Sequence, residues 1–219
     1  EKCMQGSKKV HCPSSVSDKM KGLRTQTPVV TETGFWQTKQ DYVYFMDRDL
    51  VVALATFFLN HSISDVVEFG AGRGCYTHGL QLASVNVRGY DGSPSIEEET
   101  KGVVKTLDLT IPLPRKFKKG QWLLCLEVAE HIPQQYEETF VSNLVGAARN
   151  GLILSWSPSQ TGVGHVNARP KTWVKEKLAN LGWYFDEAST NQLSRSIHTM
   201  FWIKAGLMVF RREKHYHVS

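Results

Sequence analysis

The sequence lacks long apolar runs. No stretch approaches the roughly eighteen consecutive apolar residues that a membrane-spanning helix needs, so no such helix is predicted. The chain has only four cysteines and no Cys-x-x-Cys pair, which argues against a structural zinc knuckle. It also has no internal repeat and no low-complexity tract. What is present is a chain of 219 residues, 41% of them hydrophobic, which suits one sizeable domain, alone or with an extension.

Three features bear on the cellular compartment and leave it open between the cytoplasm and the secretory lumen. Cys3 and Cys12 can form a disulfide across a short loop in an oxidising compartment, or stay free thiols. Asn60 begins a glycosylation sequon, although one such triplet is expected by chance in a chain of this length. The first residue is Glu rather than Met, so a signal peptide or anchor that has been removed is one interpretation.

Positive charge is concentrated in three places. The formal net charge is +5, and its excess lies in residues 1–24, 114–119 and 211–215. Basic patches can bind an anionic partner such as RNA or a phosphorylated substrate. Because no arginine-rich or aromatic-interleaved motif accompanies them, we favour solvated loops and tails. Residues 1–30 are polar and predict a loose basic arm, followed by one domain over residues 31–219.

Alternating strands and helices are predicted from residue 65 onward. Before them, five aromatic side chains between residues 35 and 45 suggest either core or a lid, and helical spacing of apolar residues follows over 49–60. Strands are predicted over 65–69, 85–91, 103–109, 121–127 and 151–157, with 200–203 and 207–210 as closing strand candidates. Repeated strand–helix units predict an α/β fold with a parallel, doubly wound sheet, which binds ligands at the carboxyl ends of its strands.

A glycine-rich turn follows the first of these strands. The segment EFGAGRGCYT places Glu68 before glycines at 70, 72 and 74. Glycines at a strand-to-helix turn allow close backbone approach to a ligand. A dinucleotide fingerprint would need its third glycine where Cys75 stands, which disfavours an NAD-linked oxidoreductase. The acid before the turn would repel a pyrophosphate and suits a cationic, phosphate-free ligand.

This turn resembles motif I of the class I S-adenosylmethionine-dependent methyltransferases, and the resemblance extends from about Asp65 to Phe210. It implies S-adenosyl-L-methionine as cofactor and a Rossmann-like sheet of about seven strands, mostly parallel with an antiparallel C-terminal strand. Asp91 ends the second strand, where the family places an acid on the ribose hydroxyls, and Asp108-Leu109 ends the third, where it contacts the adenine. The cofactor-binding residues implied are Glu68, Gly70, Gly72, Gly74, Asp91, Asp108 and Leu109.

Two acids and a histidine follow the fourth strand, in the segment CLEVAEHIP. If residues 127–131 form a helical turn, Glu127, Glu130 and His131 share one face and can bind a divalent metal. His165 lies in the loop after the fifth strand. Since strands one, four and five are neighbours at the centre of a doubly wound sheet, His165 is expected to reach the same pocket.

The E-x-x-E-H arrangement resembles the ubiquinone-pathway O-methyltransferases and the small-RNA 3′-terminal 2′-O-methyltransferases. The resemblance implies a divalent ion (Mg, Mn or Zn) held by Glu127, Glu130, His131 and His165, which can chelate adjacent hydroxyls of the acceptor. His165 differs from both groups in its local context. Without a metal, His131 or His165 would serve as general base, or the acid and histidine would cap a helix or shape the pocket. The candidate catalytic residues are therefore His131, His165 and Glu127.

These features predict an O-methyltransferase acting on a polyhydroxylated acceptor. A sugar or glycan is the first choice and a small aromatic diol the second. RNA ribose 2′-O-methylation comes third, because no accessory RNA-binding module is visible in the sequence. A domain that binds the cofactor without turnover is the non-enzyme alternative. The sequence does not indicate an oligomeric state.

Overall fold

A computed structural model describes residues 29–37 and 46–212. The predictions for most of the basic arm, for a Cys3–Cys12 pair, for the aromatic residues at 38–45 and for the tail at 213–219 lie outside these ranges. Within them, no helix is long and apolar enough to cross a membrane.

Seven strands form one sheet, as the sequence predicted. Two short strands outside this sheet, β1 (Val29–Val30) and β2 (Trp36–Gln37), pair as an antiparallel hairpin. The sheet strands are β3 (Asp65–Phe69), β4 (Asn86–Asp91), β5 (Val104–Thr106), β6 (Gly120–Cys125), β7 (Ala148–Ser155), β8 (Trp183–Phe185) and β9 (Leu207–Arg212). Their order across the sheet is β5-β4-β3-β6-β7-β9-β8, parallel except that β9 runs antiparallel to both of its neighbours.

Helices cover both faces of the sheet, which makes it doubly wound. They are α1 (Arg48–Asn60), α2 (Cys75–Leu82), α3 (Ile96–Glu99), α4 (Glu137–Ala147), α5 (Lys171–Ala179), α6 (Glu187–Arg195) and α7 (Phe201–Gly206). On one face, α1, α2, α6 and α7 pack on alternate strand residues such as Val66 and Leu124. On the other face, α4 and α5 pack on the residues between them, such as Val67 and Leu123. Burial on both faces explains why these strands read as continuous apolar runs.

The centre of the sheet is β3, β6 and β7, as expected for strands one, four and five of the predicted order. The segments that follow these three strands therefore emerge side by side at one edge of the sheet. They carry the glycine turn, the E-x-x-E-H segment and the loop with His165.

The C-terminal quarter differs from the prediction. Met200 precedes α7 and residues 201–203 form its start, so 200–203 is not a strand, and the sequence did not predict β8 or α6. The buried carboxylate of Asp47 accepts hydrogen bonds from the backbone N–H groups of His198 and Thr199, at 3.1 and 2.9 Å. A four-residue apolar run does not tell whether the segment forms a helix or a strand. The contact with Asp47, which is distant in sequence, fixes the backbone of His198 and Thr199 just before α7.

Candidate active site

The glycine turn joins β3 to α2. Gly70, Gly72 and Gly74 all have positive φ, at 69, 51 and 76°, a region that other residues rarely adopt. A β-carbon on Gly70 would lie 2.0 Å from Cγ2 of Val128, so the turn packs directly against the segment after β6. Cys75, at the start of α2, is buried and disulfide-bonded. The turn therefore brings backbone close to the ligand-binding edge of the sheet.

Three acids predicted to contact the cofactor lie around this turn. Asp91, at the end of β4, accepts hydrogen bonds from the N–H of Gly72 at 2.8 Å and of Ser93 at 3.0 Å, and burial raises its pKa. Burial also raises the pKa of Glu68, from an ordinary 4.5 to about 7, with the charge of Asp91 adding to the effect. Asp108 follows β5 and accepts a hydrogen bond from the backbone N–H of Thr110 at 2.8 Å.

One cavity of about 440 Å³ connects this region to the E-x-x-E-H segment. Of the eleven predicted site residues, Gly74 and Glu130 do not line the cavity, since Gly74 precedes α2 and Glu130 is fully buried. The predicted residues that line it are Glu68, Gly70, Gly72, Asp91, Asp108, Leu109, Glu127, His131 and His165. The structure thus brings the two predicted half-sites, for cofactor and for chemistry, into one space.

The E-x-x-E-H segment does not form the regular helical turn that would place Glu127, Glu130 and His131 on one face. Only Ala129–His131 form a single turn of 3-10 helix, and Glu127 has a left-handed φ of 57°. Ser155, at the end of β7, fixes Glu127 twice: its hydroxyl accepts the N–H of Glu127 and donates to Oε1, both at 2.7 Å. Burial raises the pKa of Glu127. Glu127, which follows β6, is therefore held against the end of the neighbouring strand β7 and lines the cavity.

The two histidines have fixed tautomers. Nδ1 of His131 lies 3.0 Å from the carbonyl oxygen of Gly164, and Nδ1 of His165 lies 2.6 Å from that of Ser159. A carbonyl oxygen only accepts, so both Nδ1 atoms donate, and in the neutral form of either ring the lone pair is on Nε2. Burial lowers the pKa of His131 to about 4, which keeps it neutral at physiological pH. The rings lie edge to face with centroids 5.0 Å apart.

Glu130 is the least compensated group of the site. It is fully buried, and within the described residues neither carboxylate oxygen makes a hydrogen bond of ordinary geometry, although the carboxyl of Glu127 and the backbone of Ser157 lie close enough to affect its pKa. Burial and the nearby charge of Glu127 raise the pKa of Glu130 well above its ordinary value. Potential ligand atoms of Glu130, His131 and His165 all lie within 4.8 Å of one another. Without a cation the raised pKa keeps this carboxyl protonated, and a cation bound between the three groups would hold it ionised.

Comparison with known proteins gives structural similarity alone. No protein-family model and no curated protein matches the sequence. The magnesium protoporphyrin IX methyltransferase of Synechocystis PCC 6803 with bound S-adenosylhomocysteine is 18% identical, with a TM-score of 0.58 over 76% of this chain and 83% of that one. The amino pentose methyltransferase of Micromonospora echinaspora with bound S-adenosylmethionine is 11% identical, with a TM-score of 0.58 over 75% and 91%. A small RNA methyltransferase is 16% identical, with a TM-score of 0.56 over 81% of this chain and 27% of that one.

The chain has the class I methyltransferase fold. This confirms, at the level of the fold, the resemblance that the glycine turn and the two strand-end acids suggested. In this methyltransferase fold the cavity lies at the carboxyl ends of the strands, where doubly wound sheets bind their ligands.

Glu130, His131 and His165, beside this cavity, fit a divalent ion. A buried carboxylate and two imidazoles with lone pairs on Nε2 form a mixed oxygen and nitrogen donor set that suits manganese or zinc. The Nδ1–H bonds to backbone carbonyls are the usual second contacts of histidine ligands. Glu127 lies outside the group of three, so its role as a fourth ligand stays a prediction, as do those of the other site residues.

Several residues that line the cavity were not predicted as site residues. The hairpin supplies Thr33, Gly34, Phe35 and Trp36, and the region of α7 supplies Met200 and Trp202. The aromatic richness after residue 34 was the available signal for the hairpin. For α7 there was no comparable signal, because its place beside the cavity depends on the distant contact with Asp47.

Proposed function

We propose that this protein is an S-adenosylmethionine-dependent O-methyltransferase that uses a divalent ion held by Glu130, His131 and His165. The proposed acceptor is polyhydroxylated, with a sugar or glycan preferred. The observation that carries the proposal is the buried carboxylate of Glu130, which makes no hydrogen bond of ordinary geometry among the described residues and stands beside two imidazoles. A domain that only bound the cofactor would have no need of this group.

The cofactor half of the cavity suits a cation. Glu68 and Asp91 place carboxylates near the glycine turn, and the N–H of Gly72 fixes the orientation of Asp91. S-adenosylmethionine supplies a methyl group already activated on a positively charged sulfur. The protein must hold this donor and the acceptor hydroxyl in line, and the cavity brings both half-sites within one volume.

The other half of the cavity can bind and deprotonate a hydroxyl. A bound divalent ion lowers the pKa of such a hydroxyl and orients it. Glu127 is suited to accept the proton, because it lines the cavity and burial raises the pKa of its carboxyl, which makes it a stronger base than an exposed glutamate. His131 is a weak base, since burial lowers its pKa to about 4, and this favours a role as ligand over that of general base.

Ribose methylation of RNA is the second candidate function. It is favoured by the structural similarity to a small RNA methyltransferase and by the E-x-x-E-H segment. It uses the same chemistry on a ribose diol, so the two functions differ in the acceptor and share the site.

Calorimetry tests the proposed site. We expect S-adenosylhomocysteine to bind the protein, and Mn²⁺ to bind the cofactor-loaded protein with one equivalent. Glu130→Gln should remove the heat of Mn²⁺ binding and leave cofactor affinity unchanged, because Glu130 lies outside the cavity lining. Glu176→Gln, at an exposed position of α5, is the matched control and should behave as wild type. Unchanged Mn²⁺ binding in Glu130→Gln would contradict the metal site.

A further inference from the structure

We infer that the acceptor is an uncharged diol with a flat apolar face, held between Trp36 and Trp202 at the mouth of the cavity. This inference rests on the proposed function and narrows its substrate. Sugar rings and catechols share this chemistry, because both carry adjacent hydroxyls on a ring that can stack on an aromatic side chain. RNA with a free 3′-terminal diol carries the same pair of hydroxyls, but its phosphates add negative charge that the neutral diols lack.

The charge of the cavity carries the first part of the inference. Its described lining contains no lysine and no arginine, whereas Glu68, Asp91, Asp108 and Glu127 all contribute carboxylates. A divalent ion and the sulfonium of the cofactor would offset part of this negative charge. No cationic side chain among the described residues of the lining is then left to pair with a phosphate, which proteins recognise with arginine or lysine.

Trp36 forms the first aromatic wall. Its ring lies edge to face with that of His131, with centroids 5.1 Å apart, and it lines the cavity. The hairpin is held close to the same residue, because a β-carbon on Gly34 would lie only 2.3 Å from the carbonyl oxygen of His131. Trp36 is therefore positioned directly beside one of the proposed metal ligands, where the acceptor hydroxyls must lie.

Trp202 forms the second wall. Its side chain is partly exposed, whereas the backbone before it is held by hydrogen bonds to Asp47. Trp202 lines the cavity with 43% of its surface exposed, while the next residue, Ile203, is buried. The carboxylate of Asp47 holds the backbone before α7 through the N–H groups of His198 and Thr199, together with the hydroxyl of Thr199 at 2.9 Å. The indole ring of Trp202 lines the cavity and loses exposed apolar surface when a flat ligand covers it.

Substitution of Trp202 tests this wall, and Phe201, the neighbouring aromatic residue outside the cavity lining, is the control. Trp202→Ala should raise the KM for the acceptor roughly tenfold, through lost apolar contact, and leave the dissociation constant of S-adenosylhomocysteine unchanged. Phe201→Ala removes an aromatic side chain that is 69% exposed and outside the cavity lining, and should leave both values unchanged. Trp202→Phe should restore most of the acceptor affinity. Equal acceptor KM in Trp202→Ala and wild type would overturn the inference.

A matched panel of acceptors separates this inference from the proposed function. Labelled methyl transfer should be measured with Mn²⁺ on a methyl glycoside, on a catechol and on a short RNA with a free 3′-terminal diol. Transfer to either neutral diol, well above that to RNA, supports the inference and identifies which ring is preferred. Transfer to RNA alone overturns the inference but leaves the methyltransferase function standing. No transfer to any acceptor, or no cofactor binding, overturns both.

Discussion

At the scale of single residues, the candidate site consists of three side chains that each have a possible ligand atom without another hydrogen bond among the described residues. Glu130 makes no hydrogen bond of ordinary geometry among the described residues, and His131 and His165 have their Nδ1 atoms committed to backbone carbonyls. Each of the three side chains therefore has such a ligand atom, and these atoms lie within 4.8 Å of one another. A metal ion could bind all three. The sequence predicts that these residues lie close together with Glu127. The structure adds that the carboxylate of Glu127 accepts a hydrogen bond from the hydroxyl of Ser155.

Glu68 predicts a pH dependence of stability. Its pKa rises from 4.5 to about 7 on folding because the carboxyl is buried. The folded protein therefore keeps a proton that the unfolded chain releases, so stability falls as pH rises from about 4.5 to 7. A difference of this size corresponds to about 3 kcal/mol.

Glu68→Gln should reduce that slope, because the amide does not titrate. Urea unfolding of the cofactor-free protein between pH 4.5 and 8 measures it. The other buried carboxyls with raised pKa, Asp91 among them, have the same sign, so some slope should remain. Parallel pH profiles for wild type and Glu68→Gln would show that Glu68 keeps its ordinary pKa in the folded protein.

At the scale of elements, the hairpin is the least expected part of the site. It contributes a wall of the cavity although its strands are only two residues long. Its position depends on the close approach of Gly34 to the backbone of His131.

Gly34→Ala tests this approach. Gly102 is the matched control, since both glycines have positive φ, 88 and 80°, but a β-carbon at Gly102 would meet nothing within 4 Å. Each alanine should cost about 1–2 kcal/mol of backbone strain. Gly34→Ala alone should also weaken Mn²⁺ and acceptor binding, because its β-carbon must displace the hairpin or His131. Calorimetry on both variants measures this, and equal metal affinity in the two would show that the hairpin does not position His131.

The central elements were predictable from sequence because each carries its own signal. The strands β3, β6 and β7 are apolar runs buried on both faces, and the glycine turn follows the first of them. The short strand β8 and the polar helix α6 have no such signal, and α6 begins where Asp186 accepts the N–H of Ser189 at 3.0 Å. The left-handed backbone at Glu127 could not be anticipated either, since a non-glycine residue rarely adopts it.

At the scale of the whole molecule, topology explains why the segments that carry the predicted site residues lie close together. Residues far apart in sequence meet because the carboxyl ends of three adjacent strands lie at one edge of the sheet. The walls of the cavity were not predictable in this way. Trp36 and Trp202 approach from opposite ends of the chain, and their positions depend on contacts made by Gly34 and Asp47.

We propose that methyl transfer by this protein depends on a divalent ion held by Glu130, His131 and His165. The most direct measurement is transfer of a labelled methyl group from S-adenosylmethionine to the best acceptor of the panel, on protein stripped with EDTA and then resupplied with Mn²⁺, Mg²⁺ or Zn²⁺. We expect transfer at background level after stripping and recovery with at least one of these ions. Full activity of the exhaustively stripped protein would contradict it.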